Sequence, residues 1–123
     1  MDAKIDISQF WDESMFLGEK FITLRKIRFG ELNDIRKETT NVKINGEFAS
    51  ATPDIGALRD KLVMVGIKMG PTLILEDGKH LPFKANDINY ARNLPVDLGD
   101  YIHGAIEEYN STSQKNAMSS KTV

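Results

Sequence analysis

Residues 52–70 read TPDIGALRDKLVMVGIKMG, and the way this stretch folds decides what the rest of the chain can build around it. Thr52 has the hydroxyl of a helix N-cap, able to accept from a free backbone N–H of the first turn. Pro53 suits the first helical position, where a missing N–H costs nothing. Asp54 places negative charge at the positive end of the helix dipole. Gly70 and Pro71 form a stop signal, glycine for the left-handed cap and proline because it cannot continue. The expectation is one helix of about 17 residues, roughly 25 Å long at 1.5 Å per residue, enough to cross a small domain.

At about 100° per residue, Ile55, Leu58, Leu62, Val65 and Met69 share one stripe, the expected core face. Val63, Met64 and Ile67 fall on a second flank with Gly56 and Asp60, where a helix with a single buried face would carry polar residues. Two readings follow: the helix is sandwiched on two sides, or the second flank is a patch for a partner. The latter makes Val63, Met64 and Ile67 candidate partner-binding residues. Gly56 and Gly66 permit close approach, at about 1 kcal/mol each relative to alanine in a helix interior.

Toward the N-terminus, residues 42–48 hold Asn45-Gly46, a two-residue hairpin signal with short flanks at Val42, Ile44 and Phe48. A hairpin and a loop are the two readings. Residues 29–39 read as a helix, with Phe29, Leu32 and Ile35 at helical spacing. Residues 19–27, EKFITLRKI, read as a strand, Phe21, Thr23 and Arg25 alternating with Ile22, Leu24 and Lys26. Residues 1–10 are expected as a loose arm in which Ile5, Ile7 and Phe10 form a short edge strand. Trp11 lies in an apolar cluster with Phe10, Met15, Phe16 and Leu17. It is either a structural anchor or an exposed aromatic hot spot for a partner.

Toward the C-terminus, residues 72–75 read as a short strand, Asp77-Gly78 as a turn, and residues 79–83 as a returning strand that Pro82 confines to an edge. Asn86 or Asp87 can cap a short helix over residues 87–92. Residues 95–109 form the last expected helix, with Val96, Leu98, Ile102, Ala105, Ile106 and Tyr109 as its apolar face. Residues 111–123 are polar and aperiodic, a disordered tail or linker. The expected fold is α+β, one domain over residues 1–110, with a small antiparallel sheet and hairpins packed on three to four helices. A mainly α fold is the alternative.

The chain has 123 residues, a formal net charge of −2 and no cysteine. One domain with an ordinary core fits this length. Disulfides, thiolate metal sites and a cysteine nucleophile are excluded. No apolar run is long enough to span a membrane, and the N-terminus lacks the pattern of a signal peptide. Residues 20–37 carry six basic residues against Glu31 and Asp34, whereas residues 94–110 carry four acidic ones and no Lys or Arg. These are two solvated faces, or surfaces in complementary contact within one molecule or between copies. His80 and His103 match no metal-ligand spacing, no serine stands in a nucleophile elbow, and no glycine-rich phosphate loop is present. No catalytic residue, cofactor or metal is therefore expected. The basic segment is short and sits beside a strand, without a recognition helix, which argues against nucleic acid.

In order, FITLRKIRFGELNDIRKE, DIGALRDKLVMVGI, EDGKHLPFKANDINYARNLP and VDLGDYIHGAIEEYN resemble the successive segments of phage tail assembly chaperones, of tailed phages or defective prophages. The resemblance covers about residues 19–110 and rests on no catalytic signature. It implies a non-enzymatic viral protein acting in the host cell cytoplasm. Such a protein binds the long, largely helical tape-measure protein, keeps it soluble and helps recruit tail-tube subunits. A longer form made by frameshift near the C-terminus occurs in some relatives, and the polar tail would suit a linker there. Two other functions compete: a structural virion subunit of tail completion or connection, which forms a stable homo-oligomer, and a small nucleic-acid-binding regulator using residues 20–37. The latter predicts binding that falls steeply with salt.

Overall fold

The computed structural model describes the backbone of residues 3–45 and 48–122 and the side chains of residues 3–40 and 51–111. The elements are β1 (Ala3–Asp6), β2 (Phe16–Leu17), β3 (Phe21–Leu24), α1 (Phe29–Glu38), β4 (Thr40–Asn45), β5 (Phe48–Pro53), α2 (Ile55–Gly66), β6 (Ile67–Met69), β7 (Thr72–Ile74), β8 (His80–Leu81), α3 (Ile88–Arg92) and α4 (Val96–Thr122), with a 3-10 turn at Ser8–Phe10. The fold is α+β. Its strands form three antiparallel units in place of the one small sheet expected: β1-β3-β6, β2-β7-β8 and the hairpin β4-β5.

The central stretch is where the structure departs most from helical periodicity. Helix α2 starts two residues later than expected, because Thr52 and Pro53 are already paired to Asn41 and Thr40 in the β4-β5 ladder. The cap is Asp54, whose carboxylate accepts from the Ala57 N–H at 3.0 Å while its own N–H donates to the Thr39 carbonyl at 2.7 Å. The helix ends at Gly66, one turn before Gly70-Pro71. Ile67 is extended (φ −97°, ψ 126°) and begins β6. There the Gly66 carbonyl accepts from Arg25 at 2.9 Å, and the following residues pair with β3. A sheet edge thus takes over the hydrogen bonds that another helical turn would have used.

This ending changes which face is buried. Val63, Val65 and Gly66 are buried, while Ile55 and Met69, expected in the core stripe, are exposed. The second flank faces inward: Val63 and Ile67 join Ile22 and Leu24 of β3 and Leu98, Ile102 and Ile106 of α4 in one core cluster. The sandwiched reading of α2 is the one the structure adopts, between α1, α3, α4 and β6. Gly66 makes the α2–α4 approach possible, since a Cβ there would lie 2.6–2.9 Å from three side-chain atoms of Ile106.

At the N-terminus, the stretch expected as a loose arm holds an edge strand in full register with β3, from Ala3↔Leu24 to Asp6↔Phe21, and the following Ile7 is completely buried. Of the two readings of residues 42–48, the structure adopts the hairpin, and a longer one, β4 pairing with β5 from Thr40↔Pro53 to Asn45↔Phe48; Gly46 and Glu47 lie outside the described residues. The turn at Asp77-Gly78 forms as expected, with Gly78 at φ +83°, and β8 is an edge strand. Asp87 caps α3, accepting from the Asn89 N–H at 3.0 Å. Tyr90 of α3 is buried and donates its hydroxyl to the Pro71 carbonyl at 2.5 Å, and this burial pushes the phenol pKa up. In α4, Leu98, Ile102 and Ile106 are buried, but Val96 stands almost fully exposed at the first turn. The backbone of α4 continues past Tyr109, where the tail was expected to begin, to Thr122; side chains from residue 112 onward lie outside the described residues.

Candidate partner-binding surface

The sheet β1-β3-β6 turns its core residues to one face and a mixed surface to the other, where Phe21 and Met69 stand among Lys4, Asp6 and Thr23. Strand alternation sends Ile22 and Leu24 inward, and Ile67 joins them from β6. The same alternation sends Phe21 and Thr23 outward, opposite Asp6 and Lys4 of β1, and Met69 stands across from Thr23. Phe21 is 47% exposed and Met69 60%. They share a shallow groove with Leu17 of β2, itself 42% exposed, and with Gly18, Gly70 and Pro71. Gly18 adopts φ +113°, a conformation that favours glycine, at the turn leaving β2, and its Cα side lies against Pro71. Lys4 and Glu19 frame the groove. The result is an apolar centre with charged margins, the usual build of a protein-binding patch.

Of the residues singled out from the sequence, Val63 and Ile67 are buried in the core and Met64 is half-buried. The proposed α2 patch is therefore not a surface in this fold, for the reason given above: the helix stops at Gly66, and its second flank faces α4 and β3. Trp11 is half-buried, its ring stacked on Phe16 with centroids 5.1 Å apart, and the Lys20 ammonium lies 5.7 Å from the indole centroid. Its indole N–H is buried without a hydrogen-bond partner among the described residues. This is the anchor reading of Trp11. Phe21 was visible in the sequence as one row of an alternating strand. Met69 was hidden because it was counted as helical.

The other features with chemistry are dispersed. Arg25 makes a two-pronged pair with Glu31, at 3.1 and 2.5 Å. That guanidinium, helped by the Arg28 N–H at 3.1 Å, holds the Glu31 carboxyl below the usual range. The Asp6 and Asp12 carboxyls are likewise lowered, each by the hydroxyl and N–H of the serine two residues on. The basic and acidic segments do meet, through Lys26, which donates to the Tyr109 carbonyl and lies over its ring, and through Asn110, which accepts from the Ile27 N–H at 2.7 Å. Asp100 of the acidic segment pairs with Arg59 of α2. His80 is exposed on β8, and His103 Nδ1 lies 3.0 Å from Glu107. Among the described residues no group of three or more His, Asp or Glu side chains is placed to hold a metal ion, and no helix is long and apolar enough to cross a membrane.

Compared with protein-family models, with curated proteins and with solved structures, the chain matches none.

Proposed function

We propose that this protein is a non-enzymatic binding domain that acts as a phage tail assembly chaperone, its outer sheet face covering an apolar stripe of the helical tape-measure protein. The observation that supports the reading is the groove of Leu17, Phe21 and Met69. Three large apolar side chains meet there, Phe21 and Met69 from the sheet whose other face supplies the core and Leu17 from β2 of the neighbouring sheet. Large apolar side chains grouped at a surface are the mark of an interaction site. Methionine at its rim gives an adaptable contact, suited to a client whose apolar stripe varies along its length. Client identity and the recruitment of tail-tube subunits rest on the sequence resemblance. The physical part of the proposal is the surface itself.

Co-expression with the tape-measure protein of the same genome, followed by size-exclusion chromatography with light scattering, tests the reading. A soluble complex of the two proteins is the expected result. A client that stays insoluble beside a sharp ring of this chain would instead favour a structural virion subunit.

A further inference from the structure

A second apolar groove lies on the helical side. Its walls are α1, through Phe29 and Leu32, and α4, with half-buried Leu62 of α2 over the buried Ile106 of α4 at its base. None of its lining residues belongs to the sheet-face groove. Phe29 is 79% exposed, although it starts a helix whose Ile35 is buried. Two charged residues line the groove, one from each wall: Arg36 on α1 and Glu107 on α4.

We infer that this groove is the contact between two copies of the chain, related by a two-fold axis running along it. The charges select both the occupant and the axis. Rotation about the groove direction places α1 of one copy over α4 of the other, so that each Arg36 faces the partner's Glu107 in a self-complementary contact. A two-fold axis across the groove would set α1 on α1 and α4 on α4, bringing like charges together at both walls. Glu107 already contacts His103 Nδ1 at 3.0 Å, and with 62% of its side chain exposed it can also reach the Arg36 of a second copy. Phe29 projects from the α1 wall, and in the pair it enters the apolar floor of the opposite copy, Leu62 and Ile106. A buried aromatic anchor inside a charged rim is the arrangement that concentrates binding energy at interfaces. The inference stands apart from the proposed client surface and does not depend on which client binds.

The test is sedimentation equilibrium of the full chain across the micromolar range, with thermal unfolding of every variant as a check on folding. Wild type is expected to show a concentration-dependent dimer. Arg36→Glu and Glu107→Lys, each placing like charges across both symmetry-related contacts, should weaken dimerisation about tenfold or more. The double variant Arg36→Glu/Glu107→Lys should restore it to within about threefold of wild type, because swapping the two signs recreates the pairs. Phe29→Asp should give a monomer that melts like wild type. A wild-type chain that remains monomeric overturns the inference. So does a double variant no more dimeric than its single parents, or a Phe29→Asp chain that dimerises normally. Client binding by a wild-type chain that stays monomeric would leave the proposed function intact while removing the dimer.

Discussion

Both faces of the β1-β3-β6 sheet carry large apolar side chains, and these have opposite fates. Inward, Ile22, Leu24 and Ile67 are buried against α2 and α4; outward, Phe21 and Met69 remain about half exposed. Lys4, Asp6 and Thr23 give the outer face the polar residues usual for a half-buried antiparallel sheet, and Phe21 and Met69 are the exceptions. What separates Phe21 and Met69 from Ile22 and Leu24 is the cover: helices pack on the inner face, and the two outer side chains stay about half exposed. The difference teaches that the inner face supports stability, and under the proposed function the outer face serves binding. Mutations should therefore separate the two, folding from one side and binding from the other.

The largest effect should come from the inner face. Ile22→Ala removes a fully buried side chain and should cost about 2–5 kcal/mol in denaturant unfolding. Gly66→Ala tests the seam that holds α2 on α4. The new methyl meets three atoms of Ile106, an overpacking cost of about 1–3 kcal/mol, offset by about 1 kcal/mol of better helix propensity. A net loss near 1 kcal/mol is expected, and Ile106→Val should reduce it, so the two changes should be non-additive in a double-mutant cycle. Tyr90→Phe keeps the ring but leaves the Pro71 carbonyl without its donor; a loss of about 1 kcal/mol in thermal unfolding is expected.

A smaller effect should appear on acidification. Because Arg25 depresses the folded-state pKa of Glu31, the pair stabilises the fold fully above the unfolded carboxylate value. That contribution disappears as pH falls through the lower folded-state value. Since both side chains are partly exposed, about 0.5–1 kcal/mol is at stake. Stability measured from pH 7 downward should decline less steeply in Glu31→Gln than in wild type. An unchanged slope would show that the pair contributes nothing.

Much of the element order was legible from local chemistry. The alternation of residues 21–24, the spacing of Phe29, Leu32 and Ile35, the Asp77-Gly78 turn and the Asp87 cap each act within a few residues of themselves, and each element formed. The errors in the central stretch have one source, tertiary competition for the same backbone. Residues 52 and 53 carry good helix-start chemistry but are already hydrogen-bonded to β4. Residues 67–69 continue a helical apolar stripe but pair with β3. Once β6 replaces the last helical turn, Ile67 faces the core and Met69 the solvent. The site read at Val63, Met64 and Ile67 gives way to one at Leu17, Phe21 and Met69. No local pattern joins those three residues, because they lie on three separate strands that only the folded chain brings together. The same holds for Ile7, whose burial follows from the pairing of β1.

The most direct test of this two-faced sheet is the affinity of the purified Phe21→Asp/Met69→Lys double variant for the tape-measure protein, measured beside its melting temperature. Both side chains point away from the core, so the melting temperature should stay close to that of wild type, within the roughly 0.5 kcal/mol typical of surface changes. Binding should fall by about 100-fold or more as two apolar contacts at the centre of the patch become charged. A stable variant that binds as wild type does would contradict the account, because the outer face would then be exposed without being used.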